Sequence, residues 1–191
     1  ATAFSLAVLL ATFMGGLCLG SITLPRIAVA RRVHPLRVYA ALELGIGLCG
    51  ILVLFGIPFV SRIYVVAVSH GLPAILLRGV ICSICLLVPT MLMGASLPAI
   101  ARWIEMTPRG VCWLGLWYGA NTAGAVFGCL FAGFYLLRVF DMAVATYAAV
   151  VINIAVALIS FGLSLRTPNR AEEDAPVRSQ PPAPALVWPA Y

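Results

Sequence analysis

Five apolar runs, each long enough to cross a lipid bilayer as a helix, dominate the pattern of hydrophobic and polar positions along this chain. A membrane-spanning helix needs about 20 mostly apolar residues. The runs do not alternate between apolar and polar positions, as the strands of a transmembrane barrel would. The pattern therefore predicts an all-α, polytopic membrane bundle. We expect its helices over about residues 1–24, 36–60, 72–97, 111–137 and 142–165, the first of them ending at Pro25.

The predicted transmembrane domain covers residues 1–166, and the remaining segment, 167–191, has a different character. Its sequence, TPNRAEEDAPVRSQPPAPALVWPAY, is polar, charged and rich in proline. Such a composition is typical of an extended cytoplasmic tail. The apolar end of the tail carries Trp188 and Tyr191, which would either bind a partner subunit or lie on the membrane surface. The sequence leaves both interpretations open.

Composition supports a membrane protein and indicates its orientation. Hydrophobic residues make up 63% of the chain and charged residues only 9%, against about 25% charged residues in soluble domains. All 12 basic residues are arginine, and nine of them fall in the first loop, the third loop and the tail. The positive-inside rule then places these segments in the cytoplasm. There is no basic stripe with interleaved aromatic residues, so we expect no nucleic-acid partner.

The cysteines and histidines do not show the spacing of a metal or haem site. All six cysteines lie in apolar runs. Cys82 and Cys85 form a C-x-x-C pair at helical spacing, but no second pair or histidine accompanies them, which favours packing over metal binding. His34 and His70 fall in predicted loops, and we interpret both as interfacial residues. We therefore predict no metal and no cofactor.

Two polar residues lie inside predicted spans. Glu43 is about 10 Å into the second helix and Asn121 about 15 Å into the fourth, at about 1.5 Å per residue. A charged side chain at the bilayer centre costs at least about 2.5 kcal/mol, so Glu43 must face other helices, a cavity or a basic partner. It is either a proton- or cation-binding site or a structural contact with Asn121, Arg37 or Tyr39. Without a second buried acid, we favour the structural contact.

Glycines at four-residue spacing indicate faces where helices pack closely. Such pairs are more often tight helix contacts than hinges or substrate surfaces. The blocks around Met14-Gly15 and Met93-Gly94 are also similar to each other, which suggests a parallel internal repeat, although chance similarity between apolar sequences is an alternative. The predicted packing glycines are Gly16, Gly20, Gly115, Gly119, Gly124 and Gly128.

Four blocks of the chain resemble the membrane region of a known family. The blocks are FMGGLCLGS, VYAALELGIGLCG, PTMLMGASLPAIARW and WYGANTAGAVFGCLFAGFYLL. They are similar, in the same order over about residues 1–165, to the spermidine-synthase-like membrane proteins of bacteria, also described as fused major-facilitator/spermidine-synthase proteins. The resemblance implies a location in the bacterial inner membrane. It also implies a helix upstream of residue 1.

In that family a soluble aminopropyltransferase domain follows the last helix. The 25 residues after the predicted spans cannot build such a domain, which needs βαβ units of about 30 residues each, so no catalytic residue is carried over. We expect a non-catalytic membrane subunit that packs against lipid and other membrane subunits in a larger complex. The alternatives are a transporter-like or polyamine-binding membrane domain, or the membrane part of an aminopropyltransferase whose enzyme domain lies elsewhere.

Overall fold

The structure, a computed structural model, describes four stretches of the chain, residues 3–30, 33–69, 74–105 and 110–167. All regular secondary structure in these stretches is helical, so the all-α prediction is confirmed. Five helical stretches are long and apolar enough to cross a membrane, which by length and composition makes this a multi-pass membrane protein. The elements are α1 (Ala3–Ala30), α2 (Pro35–Ser69), α3 (Ala74–Glu105), α4 (Gly110–Leu130), a π-helical segment (Phe131–Leu136), α5 (Leu137–Val139) and α6 (Met142–Arg166).

Several helices extend beyond the predicted ends. Helix α1 continues through Pro25 to Ala30, so the prediction that it stops at this proline is wrong. Helix α3 likewise continues through Pro98 to Glu105. A proline removes only one backbone donor, and helices in apolar surroundings accommodate that loss. In α3 the extension also buries Ala99 and Ile104, which favours its helical form.

Helices α1 and α3 run parallel and make the closest helix contact in the bundle. A Cβ placed at Gly79 would lie 3.9 Å from a Val8 methyl group. Further along, the hydroxyl groups of Thr12 and Ser83 lie 3.0 Å apart. Because the residue numbers of the contacting pairs increase together along α1 and α3, the two helices run in the same direction.

Helix α2 lies between α3 and α6 and is antiparallel to both. Against α3, Leu42 packs with Ala95 and Ala99 in a small buried cluster. The α3 helix thus joins α1 on one side to α2 on the other. The resulting row of four packed helices is α1–α3–α2–α6, and it contains every buried residue among the described positions except His34, which directly precedes α2.

Candidate functional site

The crossing of α1 and α3 depends on glycine. A Cβ atom at Gly16 would overlap the Thr90 side chain, and one at Gly20 would overlap the Met91 backbone. From the other helix, a Cβ at Gly94 would lie 2.7 Å from the Leu17 Cα. The structure therefore places Gly16 and Gly20 against α3, where only hydrogen atoms fit between the two backbones.

Glu43 is buried within the bundle, with 8% of its surface exposed. Its carboxyl group is hydrogen-bonded by the Tyr39 side chain, one turn earlier on the same helix. Of the three partners considered from the sequence, the structure thus selects Tyr39. Arg37 is exposed, and Asn121 lies exposed on α4. No ion pair to Glu43 is formed by any residue in the described stretches.

We call the contact between α2 and α6 the α2–α6 seam. A Cβ at Gly47 would lie 3.6 Å from the Asn153 Cβ, and one at Gly50 would lie 3.7 Å from a Thr146 methyl group. Residues three and four apart share a helix face, so this face of α2 continues from Gly47 back to Glu43. From these contacts, the shared helix faces and burial, we assign to the seam Leu36, Ala40, Glu43, Gly47 and Gly50 on α2 with Thr146, Val150, Asn153, Ala157, Ser160 and Ser164 on α6.

The α6 side of the seam is largely polar, which the sequence analysis missed. Ala157, Ser160 and Ser164 are all buried, and Asn153 is half-buried. The signal that could have revealed this face is the recurrence of hydroxyl and amide side chains on α6 at spacings of seven, four and three residues, which keep to one side of a helix. Sequence reasoning weighed only Glu43 and Asn121, because it treated hydroxyl groups in apolar runs as ordinary span residues.

His34 lies at the end of the α2–α6 seam, where α2 begins and α6 ends. Its Nδ1 atom accepts a hydrogen bond from the Leu36 backbone N–H at 3.2 Å, and its carbonyl oxygen accepts one from the Arg37 N–H at 2.9 Å. Its Nε2 atom lies 3.4 Å from the Thr167 hydroxyl oxygen. Because that hydroxyl already donates to the Leu163 carbonyl, it accepts here, and the ring proton resides on Nε2. The histidine predicted to be interfacial therefore caps α2 and links it to α6.

Burial lowers the pKa of His34 below its ordinary value, and the positive charge of Arg37 lowers it further. Hydrogen bonding with Thr167 opposes both effects only in part. A protonated ring would also carry a hydrogen on Nδ1, which would end the cap on the Leu36 N–H. The neutral imidazole is thus the form that this junction stabilises.

Helix α4 differs from the other four long helices because none of its described side chains is buried. Every residue from Trp113 to Phe131 is exposed, Asn121 among them. Nothing lies within 4 Å of a Cβ placed at Gly115, Gly119, Gly124 or Gly128. The helix contacts expected at these four glycines are therefore not made within the described part of the chain.

Asn121 and two of these glycines share one face of α4. Gly124 and Gly128 follow Asn121 by three and seven residues, the spacing of a single helix face. The amide of Asn121 forms no hydrogen bond with any described residue. Phe127, Phe131 and Tyr135 stack with ring centroids 5.8 and 5.4 Å apart and continue the helix into the π-helical segment. Because Phe131 follows Gly124 by seven residues and Gly128 by three, this aromatic row adjoins the same face.

Other predicted positions are either dispersed or outside the described residues. Within the described stretches no three His, Cys, Asp or Glu side chains are grouped to hold a metal ion. Cys82 and Cys85 are free thiols there. Trp188, Tyr191 and His70 lie outside the described residues.

No protein-family model matches the chain, and no significant similarity to a curated protein or a solved structure was found.

Proposed function

We propose that this chain is a non-catalytic membrane subunit that docks through α4 onto a different transmembrane subunit of a larger complex. The single observation that carries the proposal is the exposure of α4 along its described length, including an amide inside the span. The other long helices each bury side chains or glycines against a neighbour. An exposed helix with small residues and an amide on one face has the features of a transmembrane interface.

The Asn121 amide gives the docking face a chemical requirement. Burying an amide in an apolar medium without a hydrogen bond costs roughly 2–7 kcal/mol. A partner helix that offers a hydroxyl, amide or carboxyl group at the same depth would remove that cost. Gly124 and Gly128 would let the partner backbone approach closely enough for such a bond. The occupant we propose is thus a transmembrane helix with a polar side chain opposite Asn121.

Arginine placement and the family resemblance support a finer assignment. Along the sequence, nine of the 12 arginines fall near the α1–α2 junction, near the α3–α4 junction or from Arg166 onward, which supports a cytoplasmic C-terminus. The likeness to spermidine-synthase-like membrane proteins supports a bacterial inner membrane and descent from that membrane domain. Labelling of single cysteines with a membrane-impermeant reagent tests the orientation. Labelling at position 178 in intact cells would contradict it.

A transporter-like or polyamine-binding domain is the second candidate, and Glu43 is the observation that favours it. The five candidate spans contain this one carboxylate and no other. A polyamine carries several ammonium groups, which one carboxylate cannot pair. The subunit function therefore accounts for more of the structure.

Photocrosslinking tests the docking surface directly. Tyr118, exposed one turn before Asn121, is replaced in the full chain by a photoreactive phenylalanine analogue. Phe55, an equally exposed aromatic residue on α2, is replaced in a control. We expect the Tyr118 position to crosslink to one other polypeptide in native membranes and the Phe55 position to crosslink to lipid. A crosslink from position 118 to a second copy of this chain, or to lipid alone, would overturn the proposal.

A further inference from the structure

The α2–α6 seam is polar in a region where a membrane helix is ordinarily apolar. Glu43 faces α6 at a level set by the Gly47–Asn153 contact and the His34–Thr167 contact. The same antiparallel register brings Ala157 opposite Glu43 and Ser160 opposite Ala40, one helical turn nearer the His34 end. Both residues are buried, and Ser160 forms no hydrogen bond with another described residue. Side chains on a helix tilt toward its N-terminus, so the Glu43 side chain leans toward the level of Ser160, about one helical turn away in the same interface.

The carboxyl group has more hydrogen-bonding capacity than its neighbours use. A carboxylate accepts about four hydrogen bonds, and the described residues supply one, from Tyr39. The α3 residues at this level, Leu92, Ala95 and Ala99, are apolar. An ionised Glu43 would thus lack a counter-charge in the bundle, whereas a protonated one satisfies the charge balance.

Three hydroxyl groups on α6 lie one after another between the Glu43 region and the end of the bundle at His34. Ser160, Ser164 and Thr167 follow one another by four and three residues on α6, with neighbouring side chains about 5–6 Å apart. One water molecule can bridge such a gap, because each of its hydrogen bonds spans about 2.8 Å. The line ends beside His34, which lies about 13 Å from Glu43 along α2.

The charged groups around this route lie at its end and not beside Glu43. Tyr39 on its own helix is the one titratable neighbour of the carboxyl group among the described residues. On α6, the facing Asn153, Ala157 and Ser160 carry no charge. At the end of the seam lie His34 and the exposed Arg37 and Arg166.

From this arrangement we propose that Glu43 is a proton-binding site that exchanges its proton with the aqueous phase at the His34 end of the seam. In the exchange, the O–H bond of the Glu43 carboxylic acid breaks, and the proton passes to a bridging water. The carboxylate keeps the Tyr39 hydrogen bond until a proton returns from water along the Ser160–Ser164–Thr167 line. This activity involves α2 and α6 alone and does not depend on docking by α4.

Infrared spectroscopy of the full chain in lipid vesicles tests this site. A protonated carboxyl group gives a carbonyl band separate from that of a carboxylate, and transfer to D2O shifts the band once the proton exchanges. We expect a band that is absent in Glu43→Gln, displaced in Glu43→Asp and shifted by D2O in the wild-type protein. Because Glu43→Asp displaces the band and does not remove it, this variant assigns the band to Glu43 even if Glu43→Gln folds poorly.

The rate at which D2O shifts the Glu43 carbonyl band tests the proposed route along Ser160, Ser164 and Thr167. We expect the double variant Ser160→Ala, Ser164→Ala to exchange roughly fivefold to tenfold more slowly, as the loss of about one hydrogen bond implies. Ser96→Ala, on α3 outside the seam, should exchange at the wild-type rate. A Glu43 proton that never exchanges, a Glu43 that is ionised at every pH, or an unchanged rate in the double variant would each overturn the proposal.

Discussion

Tyr39 and Glu43 form a hydrogen bond between two side chains one turn apart on α2. The only carboxylate in the candidate spans is thus held by a neighbour on its own helix, not by a partner across the bundle. The acid therefore needs no contact with α4, and this leaves the Asn121 amide without an intramolecular partner in the described chain. In the packed row α1–α3–α2–α6, Glu43 is hydrogen-bonded within α2, and the exposed Asn121 amide lies on α4, outside that row.

Removal of the Tyr39 hydroxyl should destabilise the bundle. In Tyr39→Phe the buried Glu43 carboxyl group loses its one described partner, and we expect the free energy of unfolding to fall by about 1–2 kcal/mol. Detergent-induced unfolding followed by circular dichroism measures the change. Tyr64→Phe, also on α2 but outside this hydrogen bond, serves as the control. Equal stability of Tyr39→Phe and Tyr64→Phe would show that the bond contributes nothing.

Alanine at the α1–α3 crossing should separate the two helices. Gly16→Ala and Gly20→Ala each place a methyl group into the neighbouring helix, and such overpacking costs about 1–3 kcal/mol. Gly15→Ala is a matched control on the same helix, since nothing lies within 4 Å of its added methyl group. We expect the control to unfold at the wild-type detergent concentration or higher. A Gly16→Ala variant as stable as Gly15→Ala would contradict the contact.

Stability should decrease as the pH falls through the range in which an unfolded histidine is protonated. The folded-state pKa of His34 is lowered, so near neutral pH both folded and unfolded states hold it uncharged. Below about pH 6.5 the unfolded chain takes up a proton that the folded chain resists, and stability is lost until the folded pKa is reached. Thermal unfolding in detergent between about pH 7.5 and about pH 5 measures this loss.

The variant that isolates this effect is His34→Asn. Asparagine is a good N-terminal cap but does not titrate, so its helix should begin at the same place. We expect His34→Asn to lose less stability than the wild-type protein on acidification. Parallel pH profiles of the two proteins would exclude His34 as the origin of the pH dependence.

Substitution of Asn121 should impair association and leave the isolated chain intact. Because the Asn121 side chain is exposed and forms no hydrogen bond with a described residue, Asn121→Val should unfold in detergent like the wild-type protein. Recovery of the α4-crosslinked partner should fall by roughly threefold to tenfold, as the loss of about 0.6–1.4 kcal/mol implies. Thr122→Val, whose hydroxyl donates to the Tyr118 carbonyl of the same helix, is the neighbouring control. A loss of intrinsic stability in Asn121→Val alone would indicate a structural role within the chain.

The sequence predicts the helices far better than it predicts which faces meet. Hydropathy identifies the spans because their apolar length is a property of the chain itself. The prediction that α1 ends at Pro25 was wrong, because helix continuation there depends on the surroundings more than on one missing donor. The Tyr39 partner of Glu43 was among those considered, since a spacing of four residues places both on one side of a helix.

The α2–α6 seam and the exposure of α4 could not be derived in the same way. The glycine spacing of Gly16 and Gly20 is identical to that of Gly124 and Gly128, yet the first pair contacts α3 and the second contacts no helix in the described chain. Identical local patterns thus have different environments, because packing is decided by the helices that are close in space.

The most direct test of the proposed function is the composition of the particle that contains this chain when native membranes are extracted in mild detergent. Light scattering combined with peptide mass spectrometry gives its mass and its subunits. We predict a particle that holds this chain and a different transmembrane polypeptide in fixed ratio, joined at position 118 by the photocrosslink and recovered in smaller amount from Asn121→Val. A particle consisting only of single copies of this chain would contradict the account.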